Sequence, residues 1–220
     1  DSACALGADF AGRPLGQCGA DLCVFSFNGN KTVTAGGGGA IAGNDEDLLQ
    51  LVKHLTTTAR SGKNYDHDRV GFNYRMTNLQ AAVGCAQMEN LDRLVARKQA
   101  IHQFYTQALA GLLGVGSFPN GKWGKGANWM SGVVLTDKLS GKAAALVESL
   151  LAAGIEARPF WKPMHLQKPY ADCPRTETPV TSGLWEQVIT LPCSTGITDD
   201  ELRIVAAAVR SWVEGQADGA

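Results

Sequence analysis

No sign of charge dominates this chain: 20 lysines and arginines stand against 21 aspartates and glutamates, a formal net charge of −1. Nucleic-acid binding calls for a basic stripe or an aromatic-basic platform, and neither is visible, so that class is set aside. No apolar run approaches the ~18 residues of a membrane span. The six cysteines, at 4, 18, 23, 85, 173 and 193, form no CxxC pair and have no histidine at zinc-ligand spacing, which argues against a metal site. They read as reduced, mostly buried thiols and favour the cytoplasm. Three catalytic signatures also fail. Asn30 rather than glycine precedes Lys31, so there is no phosphate loop; no amphipathic helix follows the Gly36 to Gly39 run at once, as a dinucleotide fingerprint requires; and no GxSxG occurs. Internal repeats and low-complexity tracts are missing too.

What is present is enough apolar material for a real core: 220 residues at 45% hydrophobic composition, one large domain or two small ones. Leu22 to Phe27 is nearly continuous in β-branched, aromatic and apolar character, which predicts a strand buried on both faces, with Ala40 to Ala42 as its returning partner. Asn44 or Asp45 caps a helix to about Arg60, and Ser61 to Arg75 is polar loop. Thr77 and Gln80 form a capping box, opening a helical pattern of some thirty residues through Leu109 that bridges two lobes. Beyond Gly111 the pattern predicts strands at Trp129 to Leu135, Ile155 to Pro159 and Val188 to Leu191. It predicts helices at Lys142 to Ala153 (capped by Ser140), near Ser182 to Gln187, and from Thr198, the start of a second capping box, to about Val213. This alternation argues for a small α/β lobe.

Chemistry concentrates at Lys31. It lies in Phe25-Ser-Phe-Asn-Gly-Asn-Lys31, ahead of a Thr/Gly segment, where a β-forming stretch offers one lysine beside Ser26. Such a lysine suits a Schiff base to a phosphorylated cofactor; read locally, the plainer reading, a surface lysine next to a glycine turn, leads.

Four stretches together carry a resemblance: Asp1-Ser-Ala-Cys-Ala-Leu-Gly-Ala, the Lys31 run with its glycines, Gly71-Phe-Asn-Tyr-Arg-Met-Thr-Asn-Leu-Gln-Ala-Ala-Val-Gly84, and Arg158-Pro-Phe-Trp-Lys-Pro-Met-His165. In this order they resemble the DegT/StrS family of sugar aminotransferases, and the set spans nearly the whole chain. The Phe-Asn-Gly-Asn-Lys and Trp-Lys-Pro-Met-His variants are most similar to enzymes that aminate UDP-4-keto-6-deoxy-N-acetylglucosamine for bacillosamine-type glycans. The resemblance implies a fold-type-I pyridoxal phosphate transferase: residues 1–110 as the later part of the large cofactor domain with the bridging helix, and 111–220 as the small carboxy-terminal α/β domain. It implies an enzyme moving an amino group from L-glutamate to a UDP-linked keto sugar.

By the same resemblance Lys31 is the Schiff-base lysine and proton shuttle. Asp1 pairs with the pyridinium nitrogen, Ser26 bonds the cofactor phosphate, and Cys4 lies near the ring's phenolic oxygen. Asn73 reaches the phosphate of a neighbouring subunit, which makes the active unit a homodimer. Arg158, Trp161, Lys162, Met164 and His165 border the sugar-nucleotide entrance, with Arg60, Tyr65 and His67 as further loop candidates. Plainer readings stand beside these: a chain-end carboxylate for Asp1, a buried strand serine for Ser26, a turn asparagine for Asn73, and lobe packing for Trp161 and Met164. The family's amino-terminal half is absent from the sequence, so the chain is expected to be a carboxy-terminal fragment, inactive alone. Two rival functions remain: a keto-deoxy-sugar dehydratase, which the lysine disfavours because the family's dehydratases carry histidine there, and a non-catalytic cofactor-binding regulator or scaffold.

Overall fold

A computed structural model describes residues 1–217, and the chain divides into two compact units: residues 1–97 with 121–129, and residues 98–120 with the chain from 130 onward. Among the described residues no helix is long and apolar enough to cross a membrane.

The first unit is built from short antiparallel ribbons and helices. Strand β1 (Asp9–Phe10) pairs with β2 (Arg13–Pro14), and β3 (Cys23–Ser26) pairs with β4 (Gly39–Ala42), Ser26 opposite Gly39. The β3 strand is not buried on both faces as its composition predicts. Cys23 is buried but Val24 is 47% exposed, because β3 belongs to a two-stranded ribbon and only one face is covered. Helix α1 (Glu46–Thr56) is capped by Asp45, whose carboxylate accepts from the Leu48 N–H at 2.9 Å. It stops short of the predicted Arg60. The Thr56 and Thr57 hydroxyls turn back onto the Val52 and Lys53 carbonyls, and Thr58 and Ala59 adopt left-handed φ of 67° and 53°. A small ladder, β5 (Arg60–Ser61) with β6 (Asp66–His67), punctuates the predicted loop.

The Thr77 capping box forms in full and opens α2 (Asn78–Met88). The thirty-residue helix is instead two: α2 ends at Glu89-Asn90 and α3 (Leu91–Ala108) begins. At the break the Asn90 side chain donates to the Ala86 carbonyl at 2.8 Å, competing with the backbone ladder. The division between the two units falls inside α3, between Arg97 and Lys98.

The second unit is a four-stranded antiparallel sheet with helices. Strands β7 (Val115–Ser117), β8 (Ser131–Leu135), β9 (Arg158–Pro159) and β10 (Val188–Leu191) run in the order β7-β8-β10-β9, with α4 (Ala143–Ala152), α5 (Pro179–Leu184) and α6 (Asp199–Ala217) between and after them. All five β8 residues are buried, Val133, Val134 and Leu135 as their apolar character requires and Ser131 with them. Its core combines Ile101 and Tyr105 from α3 and Leu109 just past its end, Leu146 and Leu150 from α4, and Leu202, Val205 and Val209 from α6 with Val133, Leu135, Ile189 and Leu191. Those helical spacings of three and four are the stripe that the sequence displays. Ser140 does not cap α4. Lys142 occupies the cap position without a side-chain bond, because Ser140 instead closes the preceding 3₁₀ turn Asp137–Leu139, its N–H bonding the Asp137 carbonyl. The short α5 starts three residues early because Pro179 is pre-shaped for a first turn. The mixture of helix and sheet agrees with the class inferred from the alternating pattern.

Candidate active site

Lys31 sits near the tip of the loop joining β3 to β4, not at a strand end. The loop bonds to itself: Phe27 N–H donates to the Gly38 carbonyl, Ala35 N–H to the Phe27 carbonyl, and Lys31 N–H to the Asn28 carbonyl, all at 2.9 to 3.0 Å. Thr32, Val33 and Ala35 are buried just behind the lysine, which turns an otherwise flexible glycine segment into a fixed mount. The chain start is tied alongside, with Ser2 N–H donating to the Val24 carbonyl at 2.9 Å.

Two contacts hold the lysine amine. Its Nζ lies 3.2 Å from Cys4 Sγ and 3.8 Å from the centroid of the Trp129 ring. Cys4, Ser26, Lys31 and Trp129 line one small, closely packed cavity with no room for a water-sized sphere. The Asp1 carboxylate accepts from the Ala3 N–H at 2.9 Å, so it is oriented by its own turn. Ser26 Oγ accepts from Asn28 N–H at 3.3 Å. A primary amine, a hydroxyl and a carboxylate on neighbouring segments are the donor set that pyridoxal phosphate needs for its aldehyde, phosphate and ring nitrogen. The residues present therefore fit that group.

Asn73 lines a different cavity, with Thr57, Arg60, Lys63 and Arg75. It is held in an isolated bridge to Thr57, and Tyr74 N–H bonds the Thr56 carbonyl, so the segment runs against the end of α1. His67 Nδ1 sits 2.7 Å from the Thr58 carbonyl, while Arg60 stacks 4.1 Å over the Tyr65 ring. His54 bonds Asp68 at 2.6 Å, and that bond holds the Asp68 carboxyl below the usual range.

The five candidates at 158–165 lie in the second unit. Arg158 pairs with Glu156, and its carbonyl accepts from Thr190 Oγ1. Trp161 stacks on Phe160 at 5.1 Å, Lys162 lies 5.9 Å over Trp185, and His165 Nε2 is 2.9 Å from Ser182 Oγ. Trp161 and Met164 are exposed, with Met164 on a 3₁₀ turn.

Trp129 is the residue that sequence reasoning missed at this site. Its aromatic character reads as the first position of β8. The structure starts β8 at Ser131 instead, and Asn128, in the left-handed region at φ 49°, turns the indole away from the strand. Asparagine tolerates that backbone, so Asn128-Trp129 was the one local signal.

The mixed helix and sheet framework and its match to sugar aminotransferases place the chain among fold-type-I pyridoxal phosphate-dependent transferases. The chain belongs to the DegT/DnrJ/EryC1/StrS aminotransferase family, whose model matches residues 1–210. GDP-perosamine synthase of Caulobacter vibrioides is 37% identical over 94% of this chain and 56% of its own length. The dTDP-3-amino-3,4,6-trideoxy-alpha-D-glucose transaminase of Streptomyces venezuelae is 31% identical over 97% of this chain and 56% of its own. The solved structure of DesI in the presence of its TDP-sugar product superposes with a TM-score of 0.87 at 30% identity, covering 100% of this chain and 57% of that one. A Campylobacter jejuni relative named for a UDP-linked sugar, UDP-4-amino-4,6-dideoxy-N-acetyl-beta-L-altrosamine transaminase, is 29% identical over 75% of this chain and 44% of its own. The chain thus spans a little over half the length of the first relatives it matches. Membership of an aminotransferase family indicates pyridoxal phosphate as the cofactor.

Proposed function

We propose that this protein moves an amino group from L-glutamate to the keto carbon of a 4-keto-6-deoxy nucleotide sugar, using Lys31 to hold the cofactor and move the protons. The observation that carries the reading is the mounting of Lys31 in one cavity with Ser26 and Cys4, in a chain whose family is defined by aminotransferases. When bound, pyridoxal phosphate supplies an electron-withdrawing ring that stabilises negative charge on the carbon losing its proton. Lys31 Nζ takes the proton from the amine-bearing carbon of glutamate and, in the second half of the cycle, delivers one to the sugar carbon that receives the amine. Asp1 holds the ring-nitrogen proton and Ser26 donates to a phosphate oxygen. Cys4 lies against the amine and orients it.

The cavity at Lys31 leaves no room for a water-sized sphere, far short of the ~300 Å³ at which small-molecule sites begin. We propose accordingly that the 220 residues by themselves hold the cofactor poorly, and that Asn73 completes a partner subunit's site in a homodimer. Arg158, Trp161, Lys162, Met164 and His165 are assigned to the sugar-nucleotide entrance, where cations meet diphosphate and flat rings stack on base or sugar. The six free thiols fit a reducing compartment, the cytoplasm.

The Trp161 to His165 stretch favours a UDP-linked N-acetyl hexosamine of the bacillosamine type. A second reading, a GDP-linked sugar, is favoured by the 37% identity to GDP-perosamine synthase over nearly the whole chain. The test incubates the full-length protein and pyridoxal phosphate with L-glutamate and UDP-, GDP- or dTDP-linked 4-keto-6-deoxy sugars. Amino-sugar formation, lowered at least ~10³-fold by Lys31→Ala, supports the proposal, and the nucleotide used decides between the readings. Deoxygenation without net amination would replace it with dehydratase chemistry, and no reaction with any sugar would leave a cofactor-binding regulator.

A further inference from the structure

We propose that Trp129 is the positioning residue for Lys31, fixing both the lysine's backbone and its amine through one indole. The inference rests on the assignment of Lys31 as the reacting amine and adds a residue to it. Trp129 Nε1–H donates to the carbonyl of Asn30, the residue just before Lys31, at 2.6 Å. The face of the same ring lies 3.8 Å beneath the Lys31 Nζ. The two contacts are complementary: the N–H fixes where the loop backbone stands, and the π face fixes where the side chain ends. Trp129 is itself 8% exposed, so the amine meets a desolvated ring, where a cation–π contact is worth more than at the surface. Cys4 Sγ at 3.2 Å bounds the amine as well. A lysine with four rotatable bonds loses much freedom when held, and an aromatic plate under its tip reduces the number of positions left to it.

The geometry assigns the plate to a residue ninety-eight positions downstream in sequence but inside the same compact unit, since residues 121–129 group with 1–97. That grouping explains why a segment following the long polar turn region returns to the first unit: Asp9 N–H bonds the Lys125 carbonyl at 3.0 Å and Ala11 N–H bonds the Trp123 carbonyl at 2.8 Å, delivering Trp129 to the Lys31 loop.

The test uses the full chain without cofactor, so it stands apart from amine transfer. Lys31 acetylation by an amine-reactive ester at fixed pH is read by peptide mass spectrometry, and Lys31 amide exchange by hydrogen–deuterium exchange. Trp129→Leu removes both contacts and is expected to raise acetylation about threefold and amide exchange about fivefold. Trp129→Phe keeps a ring face and loses the N–H; it is expected to restore acetylation while amide exchange stays raised. Should Trp129→Leu fail to fold, fluorinated tryptophans supply the same test, because they weaken the ring face without changing its shape; acetylation then rises stepwise with fluorine number. Acetylation unchanged in Trp129→Leu, or across the fluorinated series, overturns the proposal. A protein that forms amino sugar yet shows unchanged acetylation refutes this inference alone. The converse result refutes the aminotransferase reading and leaves the contact standing.

Discussion

Ser131 is 0% exposed, and its Oγ has no hydrogen-bond partner among the described residues. An unsatisfied buried hydroxyl costs about 1–3 kcal/mol, whereas removing it leaves only a small void. Ser131→Ala should therefore stabilise the protein by about 1 kcal/mol, read as a raised denaturant midpoint at unchanged slope. Tyr105 is the opposite case, a buried polar group that is paired: its hydroxyl donates to the Pro192 carbonyl at 2.7 Å, and burial pushes the phenol well above its ordinary value. An acid raised in the folded state stays neutral there while the unfolded chain ionises from about pH 10, so its contribution is complete below that pH and is lost as pH rises further. Lys98, buried and donating to the Cys193 carbonyl at 2.7 Å, has its affinity for a proton lowered by burial and carries the reverse sign: its folding cost fades as pH climbs toward the ordinary lysine value. Tyr105→Phe leaves Lys98 in place, so it should lose about 1 kcal/mol near neutrality and show a shallower decline in stability above pH 10 than the parent protein. Neither residue was legible in advance: Tyr105 and Ser131 look like any helix and strand positions until the partner carbonyl, or its absence, is seen. Lys31 and Ser26 could be singled out in advance, because they lie five positions apart in one stretch, at the end of β3 and in the loop that follows it. Trp129 could not be, because its contact spans a long sequence separation.

At the scale of elements, capping chemistry was readable because it is local. Both boxes form: Thr77 with Gln80 at α2, and Thr198 with Glu201 at α6, where the Thr198 N–H donates to Glu201 Oε2 at 2.7 Å. They differ in what acid does to them. Gln80 does not titrate, but Glu201 does, and the Thr198 backbone and side-chain bonds hold its carboxyl below the usual value. A carboxylate lowered in the folded state contributes its stability above the unfolded value and loses it as pH falls through the folded one. The amide of Thr198 should accordingly lose protection from exchange below about pH 4, while that of Thr77 keeps its protection over the same range; equal behaviour of the two would refute the assignment. Thr77→Ala, removing the pH-independent box, should cost about 1 kcal/mol at any pH where the protein is folded. The break between α2 and α3 was hidden for the reason the caps were visible. Apolar periodicity runs straight through it, and only the Asn90 side chain, bonding back to Ala86, tells that the backbone has left the helix.

At the scale of the whole molecule the two units bury their chains unequally. Of the largest fully buried side chains among the described residues, Val33 alone belongs to the first unit, while Ile101, Tyr105, Leu135, Leu146, Ile189 and Leu202 all belong to the second. In the first unit Val70 is 83% exposed and Tyr74 73%, and apart from the buried Ala59 the 57–75 segment is held by turns, the short β5–β6 ladder and a bridge more than by packing. Local opening free energy follows buried apolar contact, so stability should not be uniform along the chain. Native-state hydrogen exchange at low denaturant should show amides of residues 57–75 opening first. The Lys31 loop should follow, protected by Val33 and its internal bonds, with β8, β10 and the second half of α3 opening only with global unfolding. If Asn73 completes a second subunit's site as proposed, its segment would be ordered by that partner, whereas the Lys31 mount is firm in the chain itself. One cooperative transition reported equally by residues 57–75 and by β8 would refute this division of stability and, with it, the claim that the lysine is preorganised while Asn73 is not.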